Sequence, residues 1–382
     1  MRYQNVCLES IGYTLPDEVV TSAELERRLE PLYRRLELPE GRLELMSGIV
    51  ERRFWPEGML PSEKSIESGE KALRAAGIDR RHVGALIHGS VCRDYLEPAT
   101  ASSVHHHLGL PERCIVYDVS NACLGLVNGM VQIANMIELG QIRAGLVVGT
   151  ESGRQLVETT IAALNRDTSL TRSQLKRALA SLTIGSGSCA VLLTHRDISQ
   201  TGNRIHTATV RAHTRHHDLC RSGRDEAAPD MRPLMDTDSE RLMMEGIATG
   251  VETFDDFLVE SGWSLEHINA TFCHQVGTIQ RKLMLNELGV DLNRDFTTVE
   301  WLGNTGSCAL PLTLAIGMQR GCAGPGENLA LLGIGSGINC IMMAIEWQRT
   351  LVRSTLDEPL EEADAAEAET AEPDTAPQAS AR

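Results

Sequence analysis

A thiol just ahead of a helix is a site where covalent chemistry can begin, and the stretch DVSNACLGLVNGM (118–130) gives Cys123 that position. The residues before it, Cys114 to Tyr117, read as a short strand. Those after it set Leu126, Val127, Met130, Ile133, Ala134 and Ile137 on one helical face. Cys123 is therefore expected at a strand-to-helix corner, where unpaired N–H groups at a helix start favour thiolate over thiol. The competing reading is a small buried hydrophobe, the ordinary fate of a free cysteine. Acyl transfer at a thiolate also needs a proton handler and donors for an oxyanion. FCHQVG offers His274 at the end of an apolar strand, and WLGNTGSCALP offers Asn304 in a polar loop. Taken singly, such a histidine is often structural and such an asparagine is often turn chemistry.

An internal repeat supplies the frame that would bring these residues together. GLVVGTESG (145–153) recurs in outline as LALLGIGSG (329–337), with Gly149 matching Gly333 at an offset of 333 − 149 = 184. The same offset pairs Leu126 with Leu310, Gly140 with Gly324, Ser152 with Ser336 and Gly153 with Gly337. ALIHGS (85–90) resembles ATFCHQ (270–275), and each precedes a helix ending in LGL or LGV. Two similar α/β halves imply sheets sandwiched by helices about a pseudo-twofold axis. Such an axis makes the two strand-to-helix corners converge, which gathers Cys123, Asn304 and His274. The halves are expected at residues 1–198 and 199–350, joined through the turn-rich DISQTGN (197–203). The run GIGSG (333–337) invites a dinucleotide-binding reading, but that fingerprint needs a helix next, and INCIMMAIEW suits a strand.

Composition narrows the class. At 382 residues the chain is too long for one small core, and its apolar fraction of 42% is that of an ordinary globular protein. No run approaches the roughly 18 apolar residues of a membrane span, and MRYQNVCLES lacks an apolar signal core, so a soluble, cytoplasmic protein is expected. Ten scattered cysteines without a CxxC pair suggest free thiols in a reducing compartment. About half of the net charge of −16 lies at the end: from Asp357 onward nine acids face one arginine. A solvated, disordered tail over 351–382 is expected, and the acidic balance argues against a nucleic-acid partner. HTRHHDLC (213–220) has metal-like spacing but no second ligand cluster, so no metal is expected; the triplet His105 to His107 reads as surface.

DVSNACLG, CHQVG, GNTG and LLGIGSG, in this order, resemble the thiolase superfamily and its ketoacyl synthase III branch. The resemblance runs to about Trp347. It implies a five-layered αβαβα thiolase fold, an obligate homodimer, a catalytic trio of Cys123, His274 and Asn304, and an oxyanion hole from the N–H groups of Cys123 and Ser336. Thiolases proper carry a histidine motif in place of GNTG and a second catalytic cysteine near the last glycine turn, where this chain has Ser336. VCRDYLEPATAS (91–102) further resembles the OleA-type condensing enzymes of olefin biosynthesis, in which a glutamate of the partner subunit enters the site; the matching residue is Glu97. The implied reaction is a non-decarboxylative Claisen condensation of two fatty acyl-CoA molecules to a 2-alkyl-3-oxo fatty acid. Coenzyme A thioester is then substrate and no cofactor is implied; downstream pathway enzymes are possible partners. Physically, an unactivated α-proton calls for a strong, desolvated base. Glu97 between Leu96 and Pro98 suits that, while a helix-start acid before PATAS is the plainer account. Arg52, Arg53 and Trp55 resemble the coenzyme A-gripping region, although two exposed arginines need no ligand to explain them. The alternatives are a decarboxylative 3-oxoacyl-ACP synthase III using malonyl-ACP and, from another class, a non-catalytic partner subunit.

Overall fold

The computed structural model describes residues 1–222 and 235–354. The first half runs β1 (Val6–Thr14), α1 (Pro61–Ala76), β2 (Val83–Gly89), α2 (Thr100–His107), β3 (Ile115–Val119), α3 (Gly125–Glu138), β4 (Ala144–Glu151) and β5 (Gly187–His195). The second runs β6 (Arg204–Ala212), α4 (Ser239–Ser261), β7 (Ala270–Cys273), α5 (Thr278–Glu287), α6 (Ala309–Gln319), β8 (Glu327–Gly335) and β9 (Asn339–Trp347), and β10 (Val352–Ser354) closes the described chain. Within the first half the strands lie in the order β1-β5-β4-β2-β3, and within the second β6-β9-β8-β7. At the matching place to β3 the second half has an isolated bridge, Thr271 to Asp295. The two half-sheets join where the start of the chain runs antiparallel to β6, Cys7 pairing with Arg204 and Arg2 with Thr207.

Alternation along the strands sorts the side chains into layers. Val147 of β4, Val191 and Leu193 of β5, Leu329 and Leu331 of β8, and Ile341, Met343 and Ile345 of β9 all face one shared core that holds α3 and α6. Their neighbours turn the other way. Leu146, Val148, Ala190 and Leu192 meet α1 and α2, whereas Ala330, Leu332, Met342 and Ala344 meet α4 and α5. Each half-sheet is thus buried on both faces, which is why β4 and β8 are nearly unbroken apolar runs. The middle helix α6 has ten of its eleven residues buried, as befits a helix enclosed by sheets on both sides. This is the five-layered αβαβα arrangement of the thiolase fold.

Between β5 and β6 the chain makes a tight turn at Arg196–Ile198, and residues 199–201 fold back onto the buried Glu9 carboxylate. At the far end β10 pairs in parallel with Ile11–Tyr13 of β1, so the ordered body continues through Ser354, beyond the expected limit of 350. The expected acidic tail otherwise lies outside the described residues. Among the described residues, no helix is long and apolar enough to cross a membrane.

Candidate active site

α3 can start hard against the end of β2 because two glycines meet there. A Cβ on Gly89 would lie 2.5 Å from the Gly125 carbonyl oxygen and 2.7 Å from the Leu126 Cα. That contact fixes the corner bearing Cys123, which sits two residues before α3 and not on its first turn. Ala122, just before it, has φ 45°, a left-handed conformation that costs a non-glycine residue about 1–3 kcal/mol and that clusters at functional sites. On the other side, the end of β8 packs on the same corner. A Cβ on Gly335 would lie 3.0 Å from the Leu124 Cγ and 3.7 Å from the Cys123 nitrogen.

The thiol is not the thiolate expected from the sequence. Burial, with smaller repulsion from Cys220 and Glu151, pushes the Cys123 pKa up to about 12, and the backbone N–H groups of Cys123 and Ser336 pull it down only in part. Desolvation outweighs the partial charge of a helix that begins two residues away. Those two N–H groups are the pair expected to form an oxyanion hole, and they converge on the sulfur. The turn carrying Ser336 is tied to the Cys123 corner by amides: Asn339 Nδ2 donates to Asn121 Oδ1 at 3.2 Å, and Asn121 Nδ2 donates to Asn128 Oδ1 at 2.7 Å.

His274 directly follows β7, and its backbone N–H donates to the Leu332 carbonyl of β8 at 3.0 Å. Both ring nitrogens are buried without a partner among the described residues, and burial lowers the imidazole pKa to about 4. A neutral ring with free nitrogens can accept a thiol proton or donate to a carbonyl. Asn304, 7% exposed, accepts from the Gly306 N–H through Oδ1 at 3.0 Å, which leaves Nδ2 as the donor end for a ligand. Its loop abuts the end of β4, since a Cβ on Gly306 would lie 3.0 Å from the Glu151 Cγ. Cys123 and Ser336 thus meet at the end of β8, His274 stands at the end of the adjoining β7, and the Asn304 loop abuts the end of β4.

Glu97 stands apart from this cluster. It is exposed on the loop after β2, beside the equally exposed Val91, Tyr95 and Leu96. The desolvated setting expected for it is absent within one chain. Nor does it serve as a helix-start acid, because the Thr100 and Ala101 N–H groups that open α2 both donate to Asp118, each at 2.8 Å.

The expected coenzyme-binding arginines need correction. Arg52 is 1% exposed, donates inward to Ser22 Oγ at 3.1 Å and the Leu182 carbonyl at 3.2 Å, and has its pKa lowered to about 10 by burial. Trp55 is 2% exposed, with Nε1 donating to the Glu151 carbonyl at 3.1 Å, while half-buried Arg53 donates to the Pro16 carbonyl at 2.8 Å. Arg52 and Trp55 brace the body around the site and are not offered to a ligand from solvent. In HTRHHDLC, His213 contacts Thr249 and His216 contacts Glu245, and no group of three or more potential ligands is present among the described residues.

Sequence reading passed over Glu151, Asp118, Asn121 and Asn339. Glu151 carried a signal: it is a carboxylate closing an apolar strand, at a position that the repeat matches to Gly335.

Comparison with known proteins agrees with this geometry. The thiolase N-terminal domain family matches residues 60–201, and the 3-oxoacyl-[acyl-carrier-protein (ACP)] synthase III C-terminal family matches residues 258–347. An acyl-CoA:acyl-CoA alkyltransferase of Shewanella oneidensis is 41% identical over 91% of this chain and 100% of its own length. A cysteine-to-serine variant of Xanthomonas campestris OleA, crystallised with lauric acid and lauroyl-CoA, superposes with a TM-score of 0.84 at 33% identity, covering 90% of this chain and 100% of that one. A β-ketoacyl-[acyl-carrier-protein] synthase III of Dinoroseobacter shibae is 25% identical over 88% of this chain and 97% of its own. Fold and matches together define an acyltransferase of the condensing type built on the thiolase fold. Within that class, the chain belongs to the acyl-CoA:acyl-CoA alkyltransferase family, the OleA enzymes.

Proposed function

We propose that this protein joins two fatty acyl-CoA molecules by a non-decarboxylative Claisen condensation, through an acyl-Cys123 intermediate, to a 2-alkyl-3-oxo fatty acid. Neutral His274 accepts the thiol proton as Cys123 sulfur attacks the first thioester, and the N–H groups of Cys123 and Ser336 hold the oxyanion until coenzyme A leaves. The second thioester carbonyl then lies against His274 and the Asn304 Nδ2 donor. Glu97 removes its α-proton, the enolate carbon bonds to the acyl carbon, and the Cys123 sulfur departs; water releases the second coenzyme A. No carbon changes its oxidation state through an external electron carrier, so the reaction calls for no resident cofactor. Coenzyme A enters and leaves as part of the substrates.

The observation that carries this reading is Glu97. Asp118 already opens α2, which relieves Glu97 of that task, and the carboxylate stands on an exposed loop beside the exposed side chains of Tyr95 and Leu96. A second copy covering that loop would desolvate the carboxylate and strengthen it as a base. The active form is accordingly a homodimer with each Glu97 serving the partner's site, in the cytoplasm, where acyl-CoA is available and thiols stay reduced.

The test uses purified protein and long-chain acyl-CoA alone. Free coenzyme A should appear together with a β-keto acid that decays to a symmetrical ketone. Glu97→Gln should slow condensation more than a hundredfold, to a small residual rate, while the acyl mass still appears on the Cys123 peptide. Product that forms only with malonyl-ACP or malonyl-CoA, with stoichiometric carbon dioxide, means the decarboxylative ketoacyl synthase reaction instead. Absence of any coenzyme A release leaves the non-catalytic subunit.

A further inference from the structure

Glu151 ends β4 with a carboxylate only 5% exposed, and its oxygens take donors from two separate loops. Oε1 accepts from the Val91 N–H at 3.0 Å, the Ser307 N–H at 3.3 Å and the Ser307 hydroxyl at 2.6 Å. Oε2 accepts from the Cys92 N–H at 3.3 Å. Cys92 adds a second tie to the same strand end, its sulfur accepting from the Ser152 N–H at 3.4 Å. Val91 and Cys92 are the root of the loop that leads to Glu97, and Ser307 lies three residues beyond Asn304. A single buried carboxylate therefore joins the root of the Glu97 loop to the turn that presents Asn304.

A carboxylate suits this junction because both of its oxygens only accept, with room for about four donors. A glutamine of the same shape would turn an NH2 group toward an N–H or hydroxyl donor, and one end of the junction would open. The strand beneath would be little altered, since no apolar contact is lost.

We propose that Glu151 is a positioning residue for the condensation step: it fixes the root of the loop that carries Glu97, and so sets where that base is delivered. This rests on the assignment of Glu97 as the base. Because the same carboxylate is bonded to Ser307, the loop that a subunit extends is indexed to that subunit's own Asn304 turn.

The experiment compares Glu151→Gln, Glu97→Gln and the double variant in the full-length protein, reading Cys123 acylation in a single turnover by mass spectrometry and condensation in the steady state. Glu151→Gln should lower kcat for condensation at least tenfold while acylation changes less than threefold. The double variant should be no slower than Glu97→Gln alone, because both substitutions act through one base. Cys92→Ala, which removes only the sulfur tie to Ser152, should give the same split more mildly, about threefold, and decides the matter if the Glu151→Gln chain does not fold. Parallel loss of acylation and condensation overturns the proposal, as do multiplicative effects in the double variant or an unaltered Glu151→Gln. If Glu97→Gln itself condenses normally, the assignment of the base fails, and any condensation defect of Glu151→Gln then overturns the positioning role separately.

Discussion

Cys123 and His274 are held neutral by the same burial, which raises the thiol to about 12 and lowers the imidazole to about 4. At neutral pH the resting pair is thiol and free base, with the proton still on sulfur. Below a raised pKa the thiolate fraction grows tenfold with each pH unit, so reactivity toward a small alkylating reagent should do the same. Iodoacetamide should modify the Cys123 peptide about a thousandfold faster at pH 10 than at pH 7, with no levelling near the ordinary cysteine value of about 8.5. Mass spectrometry of the peptide over a pH series checks this; a plateau below pH 9 would mean that the site keeps a thiolate at rest. The left-handed Ala122 belongs to the same corner, since it turns the chain sharply enough to aim the sulfur at the Ser336 N–H.

The elements that carry these residues meet through backbone contacts with no space for a side chain. Gly89→Ala would thrust a methyl group into the Gly125 carbonyl, so β2 and α3 must separate. Urea unfolding should report a loss of about 1–3 kcal/mol, in line with other overpacking substitutions, and Cys123 acylation should slow as its corner shifts. Unchanged stability would mean that α3 slides without cost. Much of this arrangement was legible in the sequence, because the 184-residue offset set α3 over α6 and β4 over β8 and so predicted that two corners converge. His274 after an apolar strand and Asn304 in a glycine loop were legible for the same reason. Three features were not. Burial is a property of the assembled layers, so a local pattern could not tell that Arg52 points inward or that the Cys123 thiol stays protonated. Asp118 gave no sign of its task, since its bonds to Thr100 and Ala101 cross from one strand to the helix beside its neighbour. Glu151 gathers donors from positions 91, 92 and 307, which no window of sequence brings together.

At the scale of the molecule, the proposed reaction takes Glu97 from a second copy, and the loop of Val91, Tyr95, Leu96 and Glu97 is exposed in the single chain. Mixed dimers of Cys123→Ala and Glu97→Ala subunits should therefore regain activity that neither homodimer has, because one of the two hybrid sites recovers both groups. Activity per heterodimer should approach half that of the unaltered protein. Verified heterodimers that stay inactive would mean that Glu97 serves its own chain or serves none. The interior has a different consequence. The layer of α3 and α6 takes side chains from both half-sheets into one core, while the half-sheets themselves meet along one backbone seam, between residues 1–8 and 203–208. Each half keeps an apolar cluster of its own against its outer helices, but the middle layer belongs to both, so the repeat does not divide the core in two. A segment transplanted from a relative's first half would bring its face of α3 against an α6 that had not changed with it, and chimeras in this fold should be cut so that the two middle helices travel together.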